Sequence, residues 1–143
     1  MYKAERKVLE SKGLDLNALS SLENIQIFED HYEIKLPIAI RDFYLDLNGY
    51  VNEEDMVNLY CLENVSTTAE SKFHLPEIVC IQYYFILGDF GFQASFWLLE
   101  IVGDDYKLYV LTLGVVSVTE ITQPYKEFFL KLLDDPYTVI GLT

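Results

Sequence analysis

Residues 25–49 read IQIFEDHYEIKLPIAIRDFYLDLNG, and the apolar spacing within them sets the architecture of the N-terminal side. Ile25, Phe28 and Tyr32 recur at i, i+3 and i+7, which places them on one face of a helix. Ile34 and Leu36 carry the apolar signal through a short connection. Pro37 fits the first turn of a second helix, where its missing N–H is no loss. Ile40, Phe43, Tyr44 and Leu47 form the buried stripe of that helix. Asn48-Gly49 ends it, because both residues tolerate left-handed backbone. Two short helices joined at Leu36-Pro37 are therefore expected to face one core.

Upstream, residues 3–12 are expected to form a helix stopped by Gly13, with Val8 and Leu9 buried. Ser20 or Ser21 then caps the helix that follows. Downstream, residues 50–55 are polar and acidic and read as a loop. Residues 56–62 (MVNLYCL) read as a short strand, and 63–72 have helical composition with weak periodicity. Residues 73–77 contain Pro76 and read as a loop.

From residue 78 the pattern turns to β. Residues 78–87 are rich in β-branched and aromatic side chains. The tetrapeptide Gly88-Asp89-Phe90-Gly91 has turn chemistry. Residues 94–102, 106–113 and 115–121 are three more strands with short glycine-bearing turns between them, as in an antiparallel meander. Residues 124–133 form a closing helix with Phe128, Phe129, Leu132 and Leu133 on its apolar side, and YTVIGL follows. The order helices, sheet, helix predicts one α+β domain over residues 1–143. Its N-terminal helices and C-terminal helix pack on a mainly antiparallel sheet.

At 143 residues and 51% hydrophobic composition the chain is long enough for one proper core. No apolar run reaches the ~18 residues of a membrane span. The charged start MYKAERKVLESKG has no signal-peptide core, so a cytosolic protein is expected. Cys61 and Cys80 sit in apolar company (LYCL and IVCI) and read as two buried thiols rather than a disulfide.

The formal net charge is −13, and it is unevenly spread. Residues 1–41 hold six basic and seven acidic residues, and residues 107–143 hold three and four. Residues 42–106 hold twelve acidic residues against Lys72 alone, a net of −11. Such a surface repels nucleic acid and anionic membrane and suits a basic protein, but on charge alone the favoured reading is an acidic coat that keeps the domain in solution.

Catalytic and metal chemistry find little support. Asp89-Phe90-Gly91 spells a kinase metal-binding triplet, but no other kinase motif accompanies it, and Asp89 reads as a turn residue. His31 and His74 have no second ligand at i+3 or i+4. An apolar setting raises a thiol pKa and leaves the cysteines inert. The paired carboxylates Glu29-Asp30, Glu53-Glu54-Asp55, Asp104-Asp105 and Asp134-Asp135 read as solvated surface, because acid–base catalysis needs two carboxylates in different environments. No catalytic residue, cofactor or metal is expected. A small hydrolase built on Cys61, Cys80 or Asp89 is the weakest reading.

The ordered set Ile25, Phe28-Glu29, Ile34, Leu36-Pro37, Phe43-Tyr44 and Asn48-Gly49 resembles the opening of the SUKH superfamily, the Smi/Knr-type domains. FILGDFG at 85–91, FWLLEI at 96–101 and KEFFLKLL at 126–133 look like its later pieces, so the resemblance covers roughly residues 20–133. Residues 50–80 match no part of it. Small stand-alone bacterial members are typically immunity proteins. The resemblance thus implies a non-catalytic domain that binds and neutralises a cognate toxin, nuclease- or deaminase-like. Together with the charge, it places Glu53, Glu54, Asp55, Asp104 and Asp105 at the interface with a basic toxin. The alternative it leaves is an intracellular regulatory or scaffold module with several protein partners.

Overall fold

The computed structural model describes residues 1–80 and 83–139. Helices α1 (Lys3–Ser11), α2 (Leu22–Tyr32) and α3 (Ile38–Asp46) precede the sheet, and α5 (Tyr125–Asp134) follows it. A single-turn helix, α4 (Glu77–Cys80), interrupts the β region. The strands are β1 (Tyr50–Asn52), β2 (Val57–Leu59), β3 (Ser66–Thr67), β4 (Phe85–Phe90), β5 (Ser95–Val102), β6 (Asp105–Thr112) and β7 (Ser117–Ile121). They form one antiparallel sheet in the order β1-β2-β4-β5-β6-β7, and the short β3 shares the edge of β4 with β2. The architecture is α+β, as expected.

Local chemistry accounts for the opening helices. The Ser21 hydroxyl accepts the Asn24 N–H at 3.1 Å and caps α2. Helix α2 buries Ile25 and Phe28 and ends at Glu33 in left-handed conformation. Pro37 sits one position ahead of α3, and its carbonyl accepts the Arg41 N–H at 2.9 Å. Ile40, Phe43, Tyr44 and Leu47 are all buried, as the spacing requires. In α1, Leu9 is buried but Val8 is exposed. The inward face is set instead by Tyr2 and Leu9, seven positions apart and so on one side.

The two faces of the sheet carry separate cores. One face packs against α1, α2, α3 and α5 through Phe85, Leu87, Trp97, Leu99, Leu108 and Val110. Phe43 lies at the centre of its aromatic cluster, with ring centroids 5.5 Å from Tyr2, 5.2 Å from Tyr125 and 5.1 Å from Phe129. The opposite face presents Ile86, Phe96, Leu98 and Leu111 to Phe73, Leu75 and Val79. Because both faces are covered, β5 is buried continuously from Ser95 to Leu99.

The middle of the chain departs most from expectation. Residues 50–55, read as a loop, contain β1 and the start of a tight turn, and the strand expected over 56–62 is only β2. Residues 62–72 form a single 3-10 turn and β3 rather than a helix. The strand expected over 78–87 begins instead as α4, and β4 starts at Phe85; Ile81 and Gln82 lie outside the described residues. Gly88-Asp89-Phe90 belongs to β4, and the turn is 91–94. Gly88 serves close approach: a Cβ there lies 2.3 Å from the Asn58 carbonyl oxygen. It follows a bulge at Leu87 that shifts the register of β4 against β5. The end of the closing YTVIGL segment, from residue 140, also lies outside the described residues.

Candidate functional site

Glu53, Glu54 and Asp55 occupy the turn between β1 and β2, all three exposed. Asn52 organises this turn. Its side-chain oxygen accepts the Asp55 N–H at 3.2 Å, and its amide donates to the Asp55 carboxylate at 3.1 Å. Asp104 and Asp105 are exposed at the tight turn between β5 and β6, where Gly103 adopts φ +61°. The Asp105 carboxylate accepts the Tyr106 N–H at 2.8 Å.

The sheet register separates these two groups. Val57, next to the first turn, pairs with Phe90, and Phe90 pairs with Ser95 at the start of β5. Asp105 pairs with Val102 at the far end of β5. The eight residues of β5 span about 23 Å at about 3.3 Å per residue. That exceeds the Debye length of roughly 8 Å at physiological ionic strength, so the groups act as two patches. Asp104 joins a different set of acids, lining an open groove of about 700 Å³ with Glu29, Asp30, Glu33 and Lys35 at the C-terminal end of α2.

A second groove, of about 650 Å³, runs along the other face of the sheet, lined by Asn58, Tyr60, Cys61, Lys72, Asp89 and Gln93 among others. Asp89 is buried at 6% exposure, and the Tyr60 hydroxyl donates to it at 2.5 Å. Burial pushes the Asp89 carboxyl above its ordinary value, against the stabilising hydrogen bonds from Tyr60 and the Gln93 backbone. Burial and the Asp89 contact together push the Tyr60 phenol far up, so it keeps its proton and donates. Asp89 is thus a strand residue with a side-chain partner, not a turn residue as expected. Nothing in the local sequence marks this pair, because Tyr60 and Asp89 are 29 positions apart and meet only through β2–β4 pairing.

Cys61 and Cys80 are free and half-buried rather than fully buried. Cys61 lines the polar groove, while the Cys80 thiol lies 3.7 Å from the Thr68 carbonyl oxygen. His31 is exposed on α2 with its ring 4.6 Å from that of Tyr32, and His74 is exposed before α4. Among the described residues no group of three or more His, Cys, Asp or Glu side chains is placed to hold a metal ion. No helix of the described residues is long and apolar enough to cross a membrane.

No protein-family model, curated protein or solved structure matches this chain. Its functional reading therefore rests on its own residues.

Proposed function

We propose that this chain is a non-catalytic protein-binding domain that acts as an immunity protein, binding and neutralising a cognate toxin of basic surface. One observation carries the reading. Of the twelve acidic residues in 42–106, among the described residues only Asp46 has an ion-pair partner, the chain's own amino group. Most carboxylates of the middle segment thus have no ion-pair partner among the described residues, and exposed ones stand at both ends of the sheet.

An uncompensated field of one sign steers a partner of the other sign and speeds its encounter. Nuclease toxins fit this description because they carry basic surfaces that hold phosphates. The resemblance of residues 20–133 to SUKH domains supports the same reading, since small stand-alone members are typically immunity proteins.

The test is co-expression with the product of the adjacent reading frame, followed by pull-down at rising salt. The expected result is a one-to-one complex, rescue of cells from the neighbour's toxicity, and association that slows as salt rises. A toxic neighbour with neither complex nor rescue overturns the immunity reading in favour of a regulatory module.

A further inference from the structure

Three hairpin turns meet at one end of the sheet: 53–56 between β1 and β2, 91–94 between β4 and β5, and 113–116 between β6 and β7. Backbone hydrogen bonds stitch them side by side. The Gly91 N–H donates to the Met56 carbonyl at 3.0 Å, and the Leu113 N–H donates to the Ala94 carbonyl at 3.1 Å. The turns thus form one continuous surface rather than three independent tips.

That surface presents large apolar side chains to water. Phe92 is 81% exposed, Val115 74% and Val116 57%. Beside them stand Glu53, Glu54 and Asp55, and none of the three turns contains Lys or Arg. Lys72 lies along the groove that Gln93 helps to line on the adjoining face. Tyr137, 48% exposed, packs on Phe90 at 5.4 Å and extends the apolar area at the same end.

The backbone holds Phe92 and Val116 in a costly conformation. Gly91, Phe92 and Gln93 take φ of +65°, +54° and +72° in succession, and Met56 and Val116 take +58° and +47°. Left-handed backbone is unfavourable for any residue with a Cβ and most of all for a β-branched one. Glycine removes that penalty, yet the positions carry Phe, Gln, Met and Val. The tight turn closed by the Ala94 N–H and the Gly91 carbonyl requires positive φ at its two central residues, and it is the choice of Phe over glycine there that puts a ring into solvent.

We propose that the three-turn end is the docking surface for a basic protein, with Phe92 as the central anchor, Val115 and Val116 beside it, and Glu53, Glu54 and Asp55 as the charged rim. An aromatic anchor surrounded by a polar rim is the arrangement of a protein interface. The carboxylates select the partner's sign and repel an anionic membrane, which exposed apolar tips alone would otherwise suit. This rests on the protein-binding reading above and adds which end of the molecule binds, excluding Asp104 and Asp105 from direct contact.

The experiment titrates the purified product of the adjacent reading frame against wild type, the double variant F92G/V116G, and the far-end variant D104K/D105K. Glycine relieves the strain, so the double variant should melt no lower than wild type, which separates lost contact from misfolding. Its affinity should fall at least about tenfold, while the far-end variant keeps its affinity to within about threefold. Full affinity in F92G/V116G overturns the surface and leaves the protein-binding reading intact. Absence of a wild-type complex overturns that reading, and the surface with it. Wild-type binding to phosphatidylcholine vesicles containing phosphatidylglycerol, lost in the double variant, overturns the proposal in favour of a membrane. A wild-type dimer in sedimentation that the double variant dissolves overturns it in favour of a second copy.

Discussion

The Glu29 carboxylate on α2 accepts the backbone N–H of Leu36, ahead of α3, at 2.6 Å. The bond closes the connection between the two helices from inside, because Leu36 is buried. The bond is part-buried, and removing the acceptor leaves the N–H partly open to the groove that Glu29 lines. E29A should therefore lower stability by about 1 kcal/mol, and E29Q, which keeps an acceptor oxygen, by clearly less. Urea denaturation of both variants checks this, and equal losses would show that the bond is not what holds the connection.

Gly49 and Gly13 share left-handed backbone, with φ +83° and +75°, but differ in surroundings. A Cβ on Gly49 lies 2.3 Å from the Leu59 carbonyl oxygen and 2.6 Å from that of Tyr60, whereas one on Gly13 meets nothing within 4 Å. G13A should cost about 1–2 kcal/mol, from backbone strain alone. G49A adds overlap with backbone that cannot yield and should cost about 3 kcal/mol or more. Thermal melts of the two variants read the difference directly.

Two carboxylates should shape the pH dependence in opposite directions. The Tyr32 hydroxyl and then the Thr67 N–H hold Glu70 below its ordinary value of 4.5. Its contribution is fully present above pH 4.5 and is lost as pH falls through its folded value. Asp89, pushed up chiefly by burial, binds its proton more readily in the folded state. Its contribution is present below its ordinary value of 3.8 and is lost as pH rises through its folded value. E70Q should flatten the acid limb of the stability curve. D89N should gain on wild type as pH rises from 3.8 toward neutrality. Denaturation midpoints measured from pH 3 to pH 7 test both signs, and parallel curves for all three proteins would contradict them.

Charge reversal at the two ends of the sheet should have unequal kinetic effects. E53K/E54K/D55K should slow association with a basic partner by about tenfold at physiological ionic strength and weaken the salt dependence. D104K/D105K, about 23 Å away along β5, acts across more than a Debye length and should slow it by less than about threefold. Stopped-flow association over a salt series distinguishes them. Equal slowing would show that total charge, not its placement, governs encounter.

The elements readable from sequence are those whose pattern is local. The stripes Ile25–Phe28 and Ile40–Phe43–Tyr44–Leu47, the Ser21 cap and the Asn48-Gly49 stop depend on neighbours within one or two turns, and they stand where expected. Strands β5 and β6 and the tight turn between them are likewise legible, because continuous apolar runs and Gly103 act within a few positions. The uneven charge also follows from residue order alone.

Features that depend on pairing between distant segments emerge only in the folded chain. Residues 50–80 carry weak periodicity, and their short strands exist because β4 offers one edge to both β2 and β3. Gly88 reads as a turn residue until β2 is seen crossing within contact of it. The five acidic residues look alike along the chain, yet β5 holds them at opposite ends. Phe92, Val115 and Val116, apolar residues in turns, come to share one end of the sheet only when the Leu113 N–H bonds the Ala94 carbonyl and joins their hairpins. Side-chain pattern selects local conformation over a few residues, whereas a surface is made by strand register, which links residues that the sequence keeps apart.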